Sequence, residues 1–331
     1  MKKFSSLLLM LVLATFVMAP GWAQADSGFY ISSDIGANFA SGVNFKGESN
    51  DSYSDCDAYL NKGPLASRCN PNEPVSETFV PDWFSDFDGG QGILAGAAVG
   101  YSFGAQNPNG PLGGLRVELE YFYRESKYDQ TGNFGCTGGS DSATCVKVAQ
   151  GEFGATGPQE RLGSITSHNF FANLYYDFST AGRFTPYIGI GGGVGVTDAD
   201  WASNWTRTLD QQTLRNGFPY PNDNFAGDRA QYDEYISNLA GSSSNTSTTL
   251  SDTLWGFQFL FGVDYAITEA MSLGLKGRYV MFDSFNDGIV WDPLRSYPPY
   301  IRTDQATQIA GRMSTSDIQF FGISLNLKHR F

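Results

Sequence analysis

Ile318-Gln319-Phe320-Phe321-Gly322-Ile323-Ser324-Leu325-Asn326-Leu327-Lys328-His329-Arg330-Phe331 ends the chain, and its apolar and polar residues alternate. One set of alternate residues is Phe321, Ile323, Leu325 and Leu327, and the other is Ser324, Asn326, Lys328 and Arg330. Because neighbouring side chains of a strand point to opposite faces, the segment is predicted to be a strand with one apolar and one charged face.

The first residues have the pattern of a secretory signal peptide. Lys2 and Lys3 precede an apolar run from Leu7 to Met18, and Ala23-Gln24-Ala25 follows as a small-residue cleavage site. The run is too short to span a bilayer, which argues against the alternative of a membrane anchor. We therefore expect residues 1–25 to be removed and residues 26–331 to form the mature domain.

The composition excludes some classes of partner and of membrane segment. The net charge is −13, and such an acidic exported chain argues against nucleic acid as a partner. Beyond the leader, no apolar run has the length that a transmembrane helix needs. The remaining way across a membrane is a closed β-barrel, and the abundance of Gly (39), Phe (26) and Tyr (17) is consistent with one.

The mature sequence contains eight segments with strand alternation. They cover approximately residues 28–39, 92–104, 114–125, 166–178, 185–197, 253–267, 271–283 and 317–331. Short links (105–113, 179–184 and 268–270) alternate with long ones (40–91, 126–165, 198–252 and 284–316). This alternation predicts an all-β fold, an eight-stranded antiparallel up-and-down transmembrane barrel with four long extracellular loops and both termini in the periplasm.

The two faces of the predicted strands differ in charge. The outward sets, such as Val117, Leu119, Tyr121 and Tyr123 on the third strand, contain no charged residue, as lipid requires. The inward sets contain Asp34, Arg116, Glu118, Glu120, Arg124, Asp177, Asp264, Lys276, Arg278, Lys328 and Arg330. Because unpaired charges are costly in a low-dielectric interior, we expect ion pairs across the lumen and a closed bore.

Four cysteines form two local pairs in polar stretches, Cys56 with Cys69 and Cys136 with Cys145. In an exported protein, two local disulfides are the simplest of the three possible connectivities. A zinc site is the alternative, but the spacing is not C-x-x-C and no histidine is near. No metal or other cofactor is expected.

The fifth predicted strand has glycine at four successive inward positions, Gly189, Gly191, Gly193 and Gly195. These glycines leave room for large inward neighbours such as Phe171, Tyr175 and Tyr187. The run does not fit G-x-G-x-x-G in any register, so a nucleotide-binding loop is not indicated.

Three features carry a resemblance to a known superfamily: the leader, the last strand with its terminal aromatic residue, and the segment Thr185-Pro186-Tyr187-Ile188-Gly189-Ile190-Gly191-Gly192-Gly193-Val194-Gly195. By these features the sequence resembles the eight-stranded outer-membrane barrel superfamily. That superfamily includes OmpA-type transmembrane domains, opacity-type adhesins and rickettsial surface antigens. The resemblance implies a location in the outer membrane among lipid and lipopolysaccharide. It also implies that periplasmic chaperones deliver the chain and that the barrel-assembly machinery inserts it. That machinery recognises the last strand, with Phe331 as the assembly signal. Finally, it implies extracellular loops that face host or cell-surface ligands.

A barrel of this kind could serve four functions. We expect a structural or adhesin-like surface protein with a closed lumen, and the alternative is a narrow porin for small solutes. A barrel enzyme that modifies lipid A needs a base beside a nucleophile, but Ser167 and His168 are adjacent and therefore face opposite ways. Uptake of hydrophobic ligands through a lateral gap would need an apolar interior, which the inward charges oppose.

Overall fold

The computed structural model describes most of the mature chain. The described residues are 27–49, 83–104, 114–136, 159–178, 180, 182–206, 208–217, 220, 228–241, 243–290, 310–316 and 318–331. The predicted signal peptide, Cys56, Cys69 and Cys145 lie outside these ranges. Both predicted disulfides therefore involve residues outside the described part of the chain.

Eight antiparallel strands close into one barrel, which confirms the predicted fold class. They are β1 (Gly28–Ala40), β4 (Gln91–Ser102), β5 (Leu115–Thr131), β7 (Gln159–Asp177), β8 (Phe184–Thr206), β9 (Ser243–Ala266), β10 (Met271–Phe282) and β13 (Gln319–Arg330). The ring order is β1-β13-β10-β9-β8-β7-β5-β4. The C-terminal strand closes the ring against the first one, with Tyr30 opposite Arg330 and Ala40 opposite Phe320.

An apolar belt surrounds the barrel. On β9 the outward residues Trp255, Phe257, Phe259, Phe261 and Tyr265 are all exposed on the outer surface of the barrel. From Trp255 to Tyr265 a tilted strand rises roughly 25 Å, the height of the apolar band of outer-membrane barrels. The belt therefore matches the thickness of a bilayer core.

Five of the barrel strands continue beyond the belt as a smaller sheet. Its strands are β2 (Val43–Ser49), β3 (Trp83–Phe87), β6 (Asn133–Cys136), β11 (Phe285–Val290) and β12 (Ala310–Thr315). Their order, β11-β12-β2-β3-β6, repeats the order β10-β13-β1-β4-β5 of the barrel strands to which they connect. We call this side the extended end, and the side with Gly28 and Arg330 the terminal end.

The other three barrel strands, β7, β8 and β9, run without a break into the extended end. At the extended end, β9 and β11 are neighbours but do not pair through a backbone ladder. Aspartate side chains bridge the two strands instead. The Asp287 carboxylate accepts the Ser251 backbone N–H at 2.7 Å, and the Asp252 carboxylate accepts the Asn286 N–H at 2.8 Å. These bonds close the seam where no strand ladder does.

The pattern of hydrophobicity inverts between the belt and the extended end. Within the belt, the outward side chains are apolar, and the buried charged side chains point inward. Beyond it, Ala199 and Trp201 of β8 are buried inside, whereas Asp200 between them is exposed. The buried apolar residues of both sheets form one cluster that continues down into the barrel. The inversion marks the level at which the wall changes from lipid contact to water contact.

Among the described residues between β8 and β9 there are two helices, α1 (Gln211–Gly217) and α2 (Arg229–Leu239). Asp228 caps α2 by accepting the backbone N–H groups of Ala230 and Gln231. Asp233 of α2 accepts from Arg215 of α1 at 2.5 Å and from Arg229 at 3.1 Å. Within the described ranges, no helix is both long enough and apolar enough to cross a membrane.

Four predicted strand boundaries were wrong, all at the extended end. The third strand continues to Thr131, the fourth begins at Gln159, the fifth reaches Thr206, and the sixth begins at Ser243. The long connections therefore contain strands and helices where the sequence predicted loops.

Candidate functional site in the barrel interior

The centre of the barrel holds a cluster of four charged side chains. Lys276 and Arg278 of β10 face Glu120 of β5 and Asp34 of β1, and all four residues are buried. Lys276 Nζ lies 2.8 Å from both Asp34 Oδ2 and Glu120 Oε1. Arg278 Nη2 lies 2.8 Å from Glu120 Oε1 and 3.3 Å from Asp34 Oδ2. We call these four residues the central cluster.

Neutral amides complete the hydrogen bonding of Glu120. Its Oε2 accepts from Asn173 Nδ2 at 2.9 Å and from Gln258 Nε2 at 3.1 Å. Each carboxylate oxygen of Glu120 thus has two donors. A charged group with this many partners is tolerated in a low-dielectric interior, whereas removal of one partner leaves an uncompensated charge.

A second set of buried charges lies nearer the terminal end. Arg116 Nε donates to Asp177 Oδ1 at 2.9 Å, and Lys328 Nζ forms an ion pair with Asp264. The Arg116 guanidinium also lies 4.4 Å from the ring centre of Tyr175 and 4.8 Å from that of Tyr187. These contacts hold the cation between two rings and a carboxylate.

Glu118 is held by hydroxyl groups. Its carboxylate accepts from Tyr30 Oη at 3.0 Å and from Tyr175 Oη at 2.9 Å. Tyrosines from β1 and β7 thereby meet on one carboxylate of β5. Asn173 Nδ2 donates to both Glu118 and Glu120 and so links this carboxylate to the central cluster. Arg116, beside Tyr175, links it to the pairs near the terminal end.

The alternate glycines of β8 make room for these large side chains. A Cβ atom added to Gly189 would lie 2.6 Å from Tyr175 Cδ1, and one on Gly193 would lie 2.8 Å from Phe171 Cγ. Such contacts are far inside van der Waals distance. Phe171 and Tyr175 therefore occupy the space that these glycines leave.

Two of the predicted lumen charges lie outside these clusters. Arg124 is buried, but its Nε contacts the Ser167 hydroxyl at 3.3 Å, and its guanidinium lies 4.6 Å from the ring centre of Phe320. Arg330 is only half-buried at the terminal end. In the described part of the chain, neither side chain has an ion pair with a carboxylate.

An apolar layer, which the sequence did not predict, lies across the bore. Leu94, Phe122, Phe171, Val280 and Phe320 come from five strands and are between 0% and 3% exposed. Phe122 lies at the junction with the central cluster, since the Arg278 guanidinium is 4.2 Å from its ring centre. The inward side chains are therefore mostly charged or polar toward the terminal end and mostly apolar from this layer to the extended end.

His168 and Ser167 lie on opposite sides of the wall. Ser167 is buried inside, whereas His168 is exposed on the outer face and its Nδ1 lies 2.8 Å from the Tyr121 hydroxyl. The two residues therefore do not form a pair of nucleophile and base. Among the described residues, no group of His, Cys, Asp or Glu side chains could hold a metal ion.

No protein-family model and no curated protein sequence matches the chain. Similar solved structures include the Neisserial surface protein NspA, at 13% identity over 92% of this chain and 99% of that one, with a TM-score of 0.36. The Pseudomonas aeruginosa outer-membrane protein OprG is 12% identical over 92% of this chain and 97% of its own, with a TM-score of 0.40. The outer-membrane protein AlkL, solved in lipid bilayers, is 13% identical over 95% of this chain and 94% of its own, with a TM-score of 0.33.

The fold is identified by the structure itself. The ring of strands has no open edge, its outer face is an apolar belt, and its buried charges point inward. A backbone without unpaired edges is what the hydrocarbon region of a membrane requires. The chain has the eight-stranded outer-membrane β-barrel fold.

Proposed function

We propose that the protein is a structural, adhesin-like surface barrel with a closed lumen, which carries its extended end outside the cell. The observation that carries this proposal is the apolar layer across the bore. Leu94, Phe122 and Val280 are completely buried in it. An apolar constriction excludes water, and ions cannot pass without water.

The central cluster supports the same function. The ion pairs of Lys276 and Arg278 with Glu120 join strands on opposite sides of the ring, so they hold the wall together rather than line a channel. A narrow porin would need a continuous water path through both the cluster and the apolar layer. Neither His168 nor the central cluster has the geometry of a catalytic site, and we propose no enzymatic activity.

The orientation is proposed from the outer surface of the extended end. Beyond the belt this surface is polar, with exposed Lys127, Asp200 and Ser251. In outer-membrane barrels the shorter connections face the periplasm and the longer segments face outward. The connection between β9 and β10, at residues 267–270, is of the short kind.

Epitope insertion tests the orientation. One peptide tag is inserted after Gly241, in the turn that follows α2, and a second after Gly182, in the short connection before β8. We expect antibody to bind the first tag on intact cells and the second only after permeabilisation. The reverse result would overturn the proposed display function.

A further inference from the structure

A polar groove lies on the outer wall of the extended end, just beyond the belt. It has a volume of about 440 Å³ and is lined by residues of β5, β7, β8 and β9. Its polar lining consists of Asp129, Arg161, Asp200, Ser247, Thr248 and Thr249. We call it the polar groove.

Two β-bulges shape the polar groove. The register of β5 and β7 shifts between Lys127 and Gln130, and that of β7 and β8 shifts between Leu162 and Ile165. Asp129, in the first bulge, has a φ of 46°, a left-handed conformation that few residues other than glycine adopt. Bulges redirect side chains, and these two leave Asp129 and Gly163 at the edge of the same depression.

The groove presents a fixed carboxylate among hydroxyl groups. Asp200 Oδ2 accepts from Ser164 Oγ at 3.0 Å, and Asp200 Oδ1 accepts from Thr249 Oγ1 at 2.9 Å. Both carboxylate oxygens are therefore held in place and keep lone pairs for a further donor. Because the groove has two carboxylates, Asp129 and Asp200, against one guanidinium, Arg161, a ligand that offers phosphate alone would be repelled. The same groups suit a ring that carries many hydroxyls, which both donate and accept.

An apolar groove lies on the same wall within the belt. It has a volume of about 720 Å³ and extends from β5, β7, β8 and β9 onto β4 and β1, and its small lining residues on β7 and β8 are Ala172 and Gly192. Larger residues such as Phe170 and Trp255 form its sides. Tyr121 of β5 lines the apolar groove and is hydrogen-bonded to His168 of β7, which lies between the two grooves along its strand, at the edge of the belt.

Along this wall the polar groove is followed by His168, with its hydrogen bond to Tyr121, and then by the apolar groove. A glycolipid has the same order of groups, with sugar, linkage and acyl chain. We propose that the β5–β7–β8–β9 wall binds one glycolipid molecule of the outer leaflet. Its sugar hydroxyls bond to Asp200, Thr249 and Arg161 in the polar groove, and an acyl chain lies in the apolar groove. Tyr121 and His168 contact the linkage between sugar and chain. The site rests on the proposed orientation, because glycolipid fills the leaflet that faces outward.

Native mass spectrometry of the refolded full-length barrel tests this site. The protein is mixed in detergent with deep-rough lipopolysaccharide, with its deacylated oligosaccharide, or with phosphatidylglycerol. We expect one lipopolysaccharide molecule to be retained, and the other two probes to bind at least tenfold more weakly. Equal retention of phosphatidylglycerol or of the free oligosaccharide would overturn the proposal.

Gly163→Leu is the blocking variant. A Cβ at Gly163 meets Asp200 Cβ at 3.4 Å, which is ordinary contact, so the larger side chain projects into the groove without a clash with the backbone. We expect it to weaken retention of lipopolysaccharide at least tenfold. Gly182→Leu is the control, because nothing lies within 4 Å of a Cβ there. Wild-type retention in Gly163→Leu would contradict the site.

A second variant separates binding from folding. Thr249→Val removes one hydroxyl that fixes Asp200 and keeps the shape and strand propensity of the side chain. Heat-modifiable migration on gels shows whether each variant has closed its barrel. If Gly163→Leu fails to fold, undiminished retention by folded Thr249→Val overturns the site. Epitope accessibility on cells is measured separately, so a failed orientation is distinguishable from a failed binding site.

Discussion

Lys276 Nζ lies 2.8 Å from Glu120 Oε1, and the two residues belong to strands on diametrically opposite sides of the barrel. Four strand-to-strand steps separate β10 from β5 in either direction around the ring. The ion pair therefore spans the whole bore. It couples the two halves of the wall through the interior, independently of the hydrogen-bonded ladder.

Glu120→Gln should strongly destabilise the barrel. The amide keeps the shape of the side chain but leaves Lys276 and Arg278 with only the Asp34 carboxylate, and breaking such a buried pair costs about 3–5 kcal/mol. Urea unfolding in lipid vesicles measures this loss. Glu125→Gln is the control, since Glu125 pairs at 3.7 Å with an exposed Lys127 and should change stability by less than about 1 kcal/mol. Equal stabilities of the two variants would contradict a coupling role for the central cluster.

Phe122→Ala should remove a large part of the apolar layer. Phe122 is fully buried, and its ring centre lies 5.7 Å from that of Phe171. Loss of a buried phenylalanine from a packed core costs about 3–5 kcal/mol. The matched control is Phe259→Ala, because Phe259 is 53% exposed on the lipid face. A smaller loss for Phe122→Ala than for the control in the same unfolding assay would show that the bore is not packed.

Asp287→Ala should open the seam between β9 and β11. The substitution leaves the Ser251 backbone N–H without its acceptor, so we expect its hydrogen exchange to accelerate by at least tenfold. Asp198→Ala is the control, because Asp198 accepts from the Ser251 hydroxyl, at 2.5 Å, rather than from its backbone N–H. Unchanged exchange in Asp287→Ala, read by mass spectrometry, would mean that the seam is closed by other contacts.

The contact between α1 and α2 should weaken in acid. Hydrogen bonds from Arg215, and next from Arg229, hold the pKa of Asp233 below its usual value. Because the folded pKa is lowered, the stabilisation is complete above about pH 4 and is lost as the pH falls through the folded pKa. Exchange protection of residues 229–239, corrected for intrinsic rates, should fall below about pH 4. Asp233→Asn should abolish this dependence, and a variant that keeps it would refute the assignment.

The alternation of residues predicted the part of the fold that lies in the membrane. Strands such as β10 and β13 were found within two residues of their ends, because apolar outward and charged inward positions contrast strongly there. The inward placement of Glu120 and Lys276 followed from the same parity. Their partners could not be derived, since the pairing of β5 with β10 across the bore depends on the closed ring.

The extended end was missed for a physical reason. Beyond the belt the outward face meets water, so residues such as Asp200 and Ser251 replace the apolar set that marks a lipid-facing strand. The bulge at Gly163 also shifts the parity of β7, which hides the alternation on this strand. The signal that remained was an alternation of the opposite kind, with apolar residues on the inward face. Ala199 and Trp201 are such residues, at alternate positions that continue the inward face of β8.

Planar-bilayer conductance of the refolded full-length protein tests the closed bore most directly. We expect no stable openings in the wild-type barrel over a range of voltages, because the apolar layer and the central cluster fill its cross-section. Steady, ion-selective openings in the wild-type protein would contradict a closed lumen and support a narrow porin.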